Sequence, residues 1–330
     1  MIETAAINGK VNAYVYDLAG SAPTCVELTP TRSDGQVVHQ KQEQDRKWKQ
    51  NRATLINTLS AVKPSTSDFD LLELMSKAVK TADTGNIIVV SSGVTTTGGM
   101  DLRQVGWSEN PTTLTAQLTT NKLLPNLSGW SVEFTGLGLT TGTQPTLRQP
   151  QRLALSAYWR AVCAAGHARK CTVNDEPRTL APSHSMLAVP VVPVPEVLSV
   201  VGPDDTVVTT VPTDALGFTA DSAVLGASAD DVLRPLAQQA ADKHRPVIIT
   251  GYSVAIHGQL STTDLSQARA RAVANALVRL GLPANQLRAV TGVGASTDPP
   301  NAAYTNGKFD ESKAAKLRRV IIQQLPTTTK

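Results

Sequence analysis

The longest apolar run in the chain, residues 186–201, is interrupted by Pro190, Pro193, Pro195 and Glu196. Proline fixes φ and removes a backbone donor, so this run cannot form a membrane-spanning helix. It belongs to a Pro- and Val-rich segment, residues 177–204, that reads as an extended linker, partly polyproline II or a stray edge strand. The 330 residues are thereby divided into two regions of ordinary domain size, 1–176 and 205–330. The first ten residues, MIETAAINGK, carry neither a basic n-region nor an apolar h-region, so no export segment is visible.

The first region alternates strand and helix signals. Residues 11–17 alternate as a strand does, and residues 40–62 read as a helix. Ser67 and Asp70 have capping-box spacing ahead of a stripe of Leu71, Leu74, Met75, Ala78 and Val79. Ile87–Val90 is a short, wholly apolar β-branched run, the pattern of a central strand covered on both faces. A helix near 112–122, a strand at 131–137, a helix at 150–165 and a strand at 170–173 follow. Aromatic residues make up only 4% of the chain, so the cores must be built from Ala, Val, Leu and Ile. Together these features predict a doubly wound α/β sheet.

The second region interleaves strands at 206–211, 247–251, 287–293 and 319–324 with helices at 228–244 and 264–280. Ser228 and Asp231 open the first helix, and Pro235 implies a bend or a later start. Asp264 and Gln267 open the second, whose buried face is Leu265, Ala268, Ala272, Val273, Ala276, Leu277 and Leu280. The expected fold is a small α+β sandwich.

A net charge of +4 and the absence of a Lys/Arg run interleaved with aromatics leave no nucleic-acid footprint. The basic residues of 41–52 alternate with Glu43 and Asp45 and read as a solvated helix face. Cys25, Cys163 and Cys171 have no metal-ligand spacing; buried free thiols are the expectation, with a pairing of Cys163, on a helix, and Cys171, on the strand that follows, left open as the alternative. The five histidines, His39, His167, His184, His244 and His257, are not paired at ligand spacing. No nucleophile elbow, phosphate loop or dinucleotide fingerprint occurs. The chain is expected not to be an enzyme and to need no cofactor.

The motifs of the second region occur in a telling order. Phe218-Thr-Ala-Asp-Ser222-Ala223-Val-Leu225 precedes Val247-Ile-Ile-Thr-Gly251. Leu265-Ser266-Gln-Ala-Arg269-Ala270-Arg-Ala-Val273, Gly281-Leu-Pro, Val290-Thr-Gly-Val-Gly294 and Arg318-Arg319-Val320 follow. This succession resembles the OmpA-like peptidoglycan-binding domain over about 120 residues. The resemblance implies a pocket for the zwitterionic diaminopimelate side chain of a wall peptide. A helix arginine takes its carboxylate and an aspartate takes its ammonium. Arg269 matches the arginine, and Ser253, Asp264 and Arg318 are the further candidate ligand-binding residues. Val254 stands where the family has the aspartate, while Thr262 and Leu317 replace its usual asparagines. Losing the carboxylate weakens binding through the usual pocket.

In the first region, Asn86-Ile-Ile-Val-Val-Ser-Ser92-Gly-Val-Thr-Thr-Thr-Gly98 resembles the strand and loop of von Willebrand factor A domains. Such domains often hold a divalent metal. Ser92 occupies the aspartate position, and Asp17-Leu-Ala-Gly-Ser21 lacks the middle serine of the first metal loop, so no metal site is expected. The combined expectation is a non-catalytic, extracytoplasmic envelope protein that associates with peptidoglycan through a degenerate OmpA-like domain. A protein partner would engage the A-like domain. The alternative is a docking component of a larger envelope or phage-like assembly, without peptidoglycan binding.

Overall fold

The computed structural model describes residues 11–16, 23–62, 66–174, 189–254, 262–295 and 302–327. Residues 17–21, His184 and His257 lie outside them. An antiparallel hairpin, β1 (Asn12–Val15) and β2 (Thr24–Glu27), comes first. The long helix α1 (Lys41–Ala61) lies against it, with Trp48 and Leu55 packed on Val26 and Leu28. No residue of α1 is fully buried, as a charged, solvated helix requires. The next helix, α2 (Leu71–Ala78), is capped by Asp70, which accepts from the Glu73 amide at 3.0 Å. The cap is therefore Asp70 rather than Ser67, three residues later than the sequence pattern suggested.

Three parallel strands, β3 (Gly85–Val90), β4 (Trp130–Thr135) and β5 (Lys170–Asn174), form a sheet in sequential order. Short α3 (Leu102–Val105) and α4 (Pro111–Thr120) link β3 to β4, and α5 (Gln149–Ala165) links β4 to β5. Val89, Val132 and Phe134 share one core with Leu72 and Met75 of α2, Leu114 and Leu118 of α4, and Tyr158 and Trp159 of α5, so the expected purely aliphatic core is corrected: the few aromatic residues are concentrated here. Val89, Val132 and Phe134 occupy alternate positions along the strands and so belong to one face. On the other face Ile88 is 52% and Val90 64% exposed. The expectation of a central strand covered on both faces is corrected: among the described residues β3 is an edge strand. Among the described residues its sheet is covered on one face, not doubly wound. A four-residue apolar run cannot distinguish these cases, because burial of alternate residues leaves the same composition.

Cys163 of α5 and Cys171 of β5 are joined by a disulfide, their Cα atoms 6.1 Å apart. The expectation of free thiols is corrected here. The tight turn after α5 folds β5 back beside it and brings the pair into bonding range. Cys25 is free and exposed.

Residues 189–197 are not a free linker. The Gln144 side chain brackets Val192, donating to its carbonyl and accepting from its amide, both at 2.8 Å. Trp107 Nε1 donates to the Pro193 carbonyl at 2.7 Å. The chain then enters β6 (Leu198–Val201), the edge strand of a five-stranded sheet. That sheet also holds β7 (Val207–Pro212), β8 (Val247–Tyr252), β9 (Leu287–Gly294) and β12 (Arg319–Gln324), in the order β6-β7-β12-β8-β9. Only β8 and β9 pair in parallel, and α7 (Thr262–Arg279) makes the crossover between them. Helices α6 (Ala229–Asp242) and α7 cover the inner face with small residues: Ala237, Ala240, Ala270, Ala274 and Ala276. The helix lies so close that a Cβ on Gly251 would fall 2.2 Å from the Ser266 carbonyl oxygen. A small hairpin, β10 (Tyr304–Thr305) and β11 (Lys308–Phe309), and helix α8 (Glu311–Leu317) precede β12. No helix among the described residues is long and apolar enough to cross a membrane.

Candidate functional site

Arg269 lies on the buried face of α7, one turn after Ser266 and beside Ala270 and Val273. A guanidinium in such a stripe must be fully engaged. Its Nε donates to the Ser222 carbonyl and its Nη2 to the Thr219 carbonyl, both at 2.9 Å. The Phe218 ring lies 5.3 Å below its centre. The side chain belongs to a residue only 3% exposed. Burial, reinforced by nearby Arg318, lowers the guanidinium to about 10, against the opposing pull of Asp214 and Asp221. It therefore stays charged at neutral pH.

The other sequence candidates are arranged around it. Ser253 is buried, and its Oγ donates to the Thr262 carbonyl at 2.5 Å. This bond ties the loop after β8 to the start of α7. Asp264 is exposed in the first turn of α7. Arg318, immediately before β12, is ion-paired with Glu311 of α8. Its neighbour Arg319 points the other way along the strand and stacks on Tyr252, 4.2 Å from the ring centre. Val254 is buried against Ala303 and Ala314, with Tyr304, Phe309 and Leu317 around them. The position that would carry the anionic half of a zwitterion pocket is thus the centre of a small apolar cluster.

Sequence reasoning missed two acids. Asp214 sits in the short 3₁₀ turn Thr213–Leu216, 3% exposed. Burial raises its carboxyl above the usual range, opposed by Arg318, the Ser108 hydroxyl and Arg269. Neither of its carboxylate oxygens has a hydrogen bond of good geometry. Glu311 is pushed up to about 7 by burial, with Arg318 opposing. For Arg318 itself, burial is outweighed by Glu311 and Asp214, which hold the guanidinium above its ordinary value. Only proximity in the fold marks these acids; neither falls in one of the motifs quoted above.

The first region also reaches this cluster. Ser108 accepts from the Ala220 amide at 2.6 Å. Helix α3 packs against α8, and α5 packs against the Asp214 turn. Gly106, which ends α3, abuts Glu311. The Tyr158 hydroxyl donates to the Gly106 carbonyl at 3.2 Å. No group of His, Cys, Asp and Glu among the described residues has a metal-binding arrangement.

Residues 217–312 match the OmpA family, and they form an OmpA-like domain. Outer membrane protein A of Serratia odorifera is 34% identical over 121 residues, covering 32% of this chain and 49% of that protein. The chain thus spans about half the length of the curated relative it matches. Among solved structures, the cell wall anchor of the T6SS from Pseudomonas aeruginosa is similar at 28% identity and a TM-score of 0.34, covering 40% of this chain and 88% of that one. The peptidoglycan-associated lipoprotein from Burkholderia pseudomallei is similar at 26% identity and a TM-score of 0.29, covering 35% and 89%.

Proposed function

We propose that this chain is a non-catalytic, extracytoplasmic cell-envelope protein whose OmpA-like domain associates with peptidoglycan. Its first region, a reduced von Willebrand factor A-like unit, would hold a protein partner. One observation carries the reading: the OmpA family match spans Arg269, which stays charged on the inner face of its helix. A guanidinium fork there suits the carboxylate of a wall peptide. Arg318 lies close enough to add to the positive field, while Ser253 and Asp264 frame the start of the same helix. The Cys163–Cys171 disulfide supports an oxidising, extracytoplasmic compartment. The parallel strands and the Ser91–Thr97 loop at the end of β3 support the A-like reading of the first region.

A second reading is favoured by Val254. With an apolar cluster in place of the ammonium-binding acid, the domain would serve as a docking component of a larger envelope or phage-like assembly. Cosedimentation with purified peptidoglycan separates the two. Retention that is lost in Arg269→Lys, which keeps the charge but not the fork, supports wall association. Absence of retention, both in the wild-type chain and in one loosened between its regions by Ser108→Asp, would leave the docking reading.

A further inference from the structure

Contacts between the two regions converge on the segment that caps Arg269. The carbonyls of Thr219 and Ser222 hold the Arg269 guanidinium. Between them, the Ala220 amide donates to the Ser108 carbonyl of the first region at 2.6 Å. Close by, a Cβ on Gly106 would fall 2.3 Å from Glu311 Oε1, so the first region is seated without a gap against α8. On the far side the Gln151 amide approaches the Asp214 carbonyl at 3.4 Å.

We propose that the first region is a built-in cover: docked at Ser108, it holds the 219–222 strap closed over Arg269, so that docking and carboxylate binding at Arg269 exclude one another. The reason is access. Two of the five guanidinium N–H groups, on Nε and Nη2, are bound to the strap carbonyls, and the residue is only 3% exposed, so a carboxylate reaches the fork only once the strap moves. Moving the strap pulls the Ala220 amide from the Ser108 carbonyl. By linkage, whatever weakens docking strengthens ligand binding in proportion to the rise in the undocked fraction. The junction is built to be separable. Asp214 is buried in it with no hydrogen bond of good geometry to either oxygen, and undocking would return that carboxylate to water. The identity of the ligand rests on the wall-binding reading above; the cover does not.

The test uses the full chain in a Cys25→Ser background, because Cys25 is exposed. An opened form carries Ser108→Asp, which sets a second carboxylate beside Asp214. A locked form carries Ser108→Cys and Ala220→Cys joined by a short bismaleimide. Phenylglyoxal modification of Arg269 is followed by mass spectrometry, with exposed Arg271 on the same helix as internal reference. Arg269 is expected to react about tenfold faster in the opened form and slowest in the locked form, a factor typical of coupled sites. Equal rates in all three forms overturn the cover. The same three proteins are then sedimented with purified peptidoglycan. Retention rising in the opened form and vanishing in the locked form supports both the cover and its ligand. Faster Arg269 modification without retention in any form upholds the cover and refutes wall binding.

Discussion

Gly106→Ala should destabilise the chain through two separable effects, and their sizes follow from the geometry. Gly106 has φ 72° and ψ −172°, a region open essentially to glycine alone, so any side chain costs about 1–3 kcal/mol in backbone strain. The added methyl would also lie 2.3, 2.8 and 2.9 Å from Oε1, Cδ and Cγ of Glu311. All three contacts are with one side chain, so Glu311 must swing away. It is 5% exposed and paired with Arg318. Parting a buried pair costs roughly 3–5 kcal/mol when one charge is left uncompensated. The total is therefore about 4 kcal/mol or more. A double-mutant cycle with Glu311→Ala isolates the second part, because the strain persists and the clash does not. Urea unfolding read by tryptophan fluorescence is suited to this, since Trp48, Trp107, Trp130 and Trp159 all lie in the first region. A coupling energy above about 1 kcal/mol is expected. Additivity within roughly 0.5 kcal/mol would mean that Gly106 and Glu311 do not meet, and the description of the interface would be wrong.

Docking should also depend on pH. In the docked chain burial pushes Glu311 up to about 7 from its ordinary 4.5, with Arg318 opposing and Asp214 and Glu109 adding to the rise. An acid with a raised pKa binds the extra proton in the docked state. Docking is therefore favoured at acid pH and weakens as pH rises from 4.5 through 7. Asp214 acts in the same direction. Amide exchange at Ala220, corrected for its intrinsic rate, should show more opening at pH 8 than at pH 5, and Glu311→Gln should flatten the difference. Reducing Cys163–Cys171, which are 8 residues apart, should cost about 2–3 kcal/mol by loss of the cross-link, seen as a lower urea midpoint; Cys25→Ser should leave that midpoint unchanged. Val254→Asp should lower the thermal midpoint, by roughly 2 kcal/mol or more in stability, because it buries a carboxyl among Ala303, Ala314 and Phe309. An unchanged midpoint would show that this cluster is open to water.

The legibility of the sequence followed the range of the interactions. The helix bearing Arg269 could be read because its stop at Gly281-Leu-Pro283 and its arginine lie within one local pattern; its stripe was read correctly at Val273, Ala276 and Leu277, but Ala268 is exposed and Ser266, Arg269, Ala270 and Ala274 are buried instead. Val254 was visible as a departure from that pattern. Its apolar surroundings were not, since Ala303, Phe309 and Ala314 come from a hairpin and helix some fifty residues on. Asp214 and Glu311 were missed for the same reason: burial is a property of what packs on a residue, and here the packing comes from the other region. The strand at Ile87–Val90 was found but placed at the centre of a sheet, because four apolar residues look alike whether one face or both are covered. The disulfide needed the turn between α5 and β5, whose return path no spacing rule supplies.

Reversible locking tests the cover and its ligand most directly. The full chain carrying Cys25→Ser, Ser108→Cys and Ala220→Cys is joined with a periodate-cleavable bismaleimide and sedimented with purified peptidoglycan before and after cleavage. The bound fraction should be near zero while the regions are joined and should rise once the link is cut and the reagent removed. An equal bound fraction in the two states would contradict the claim that docking and binding at Arg269 exclude one another.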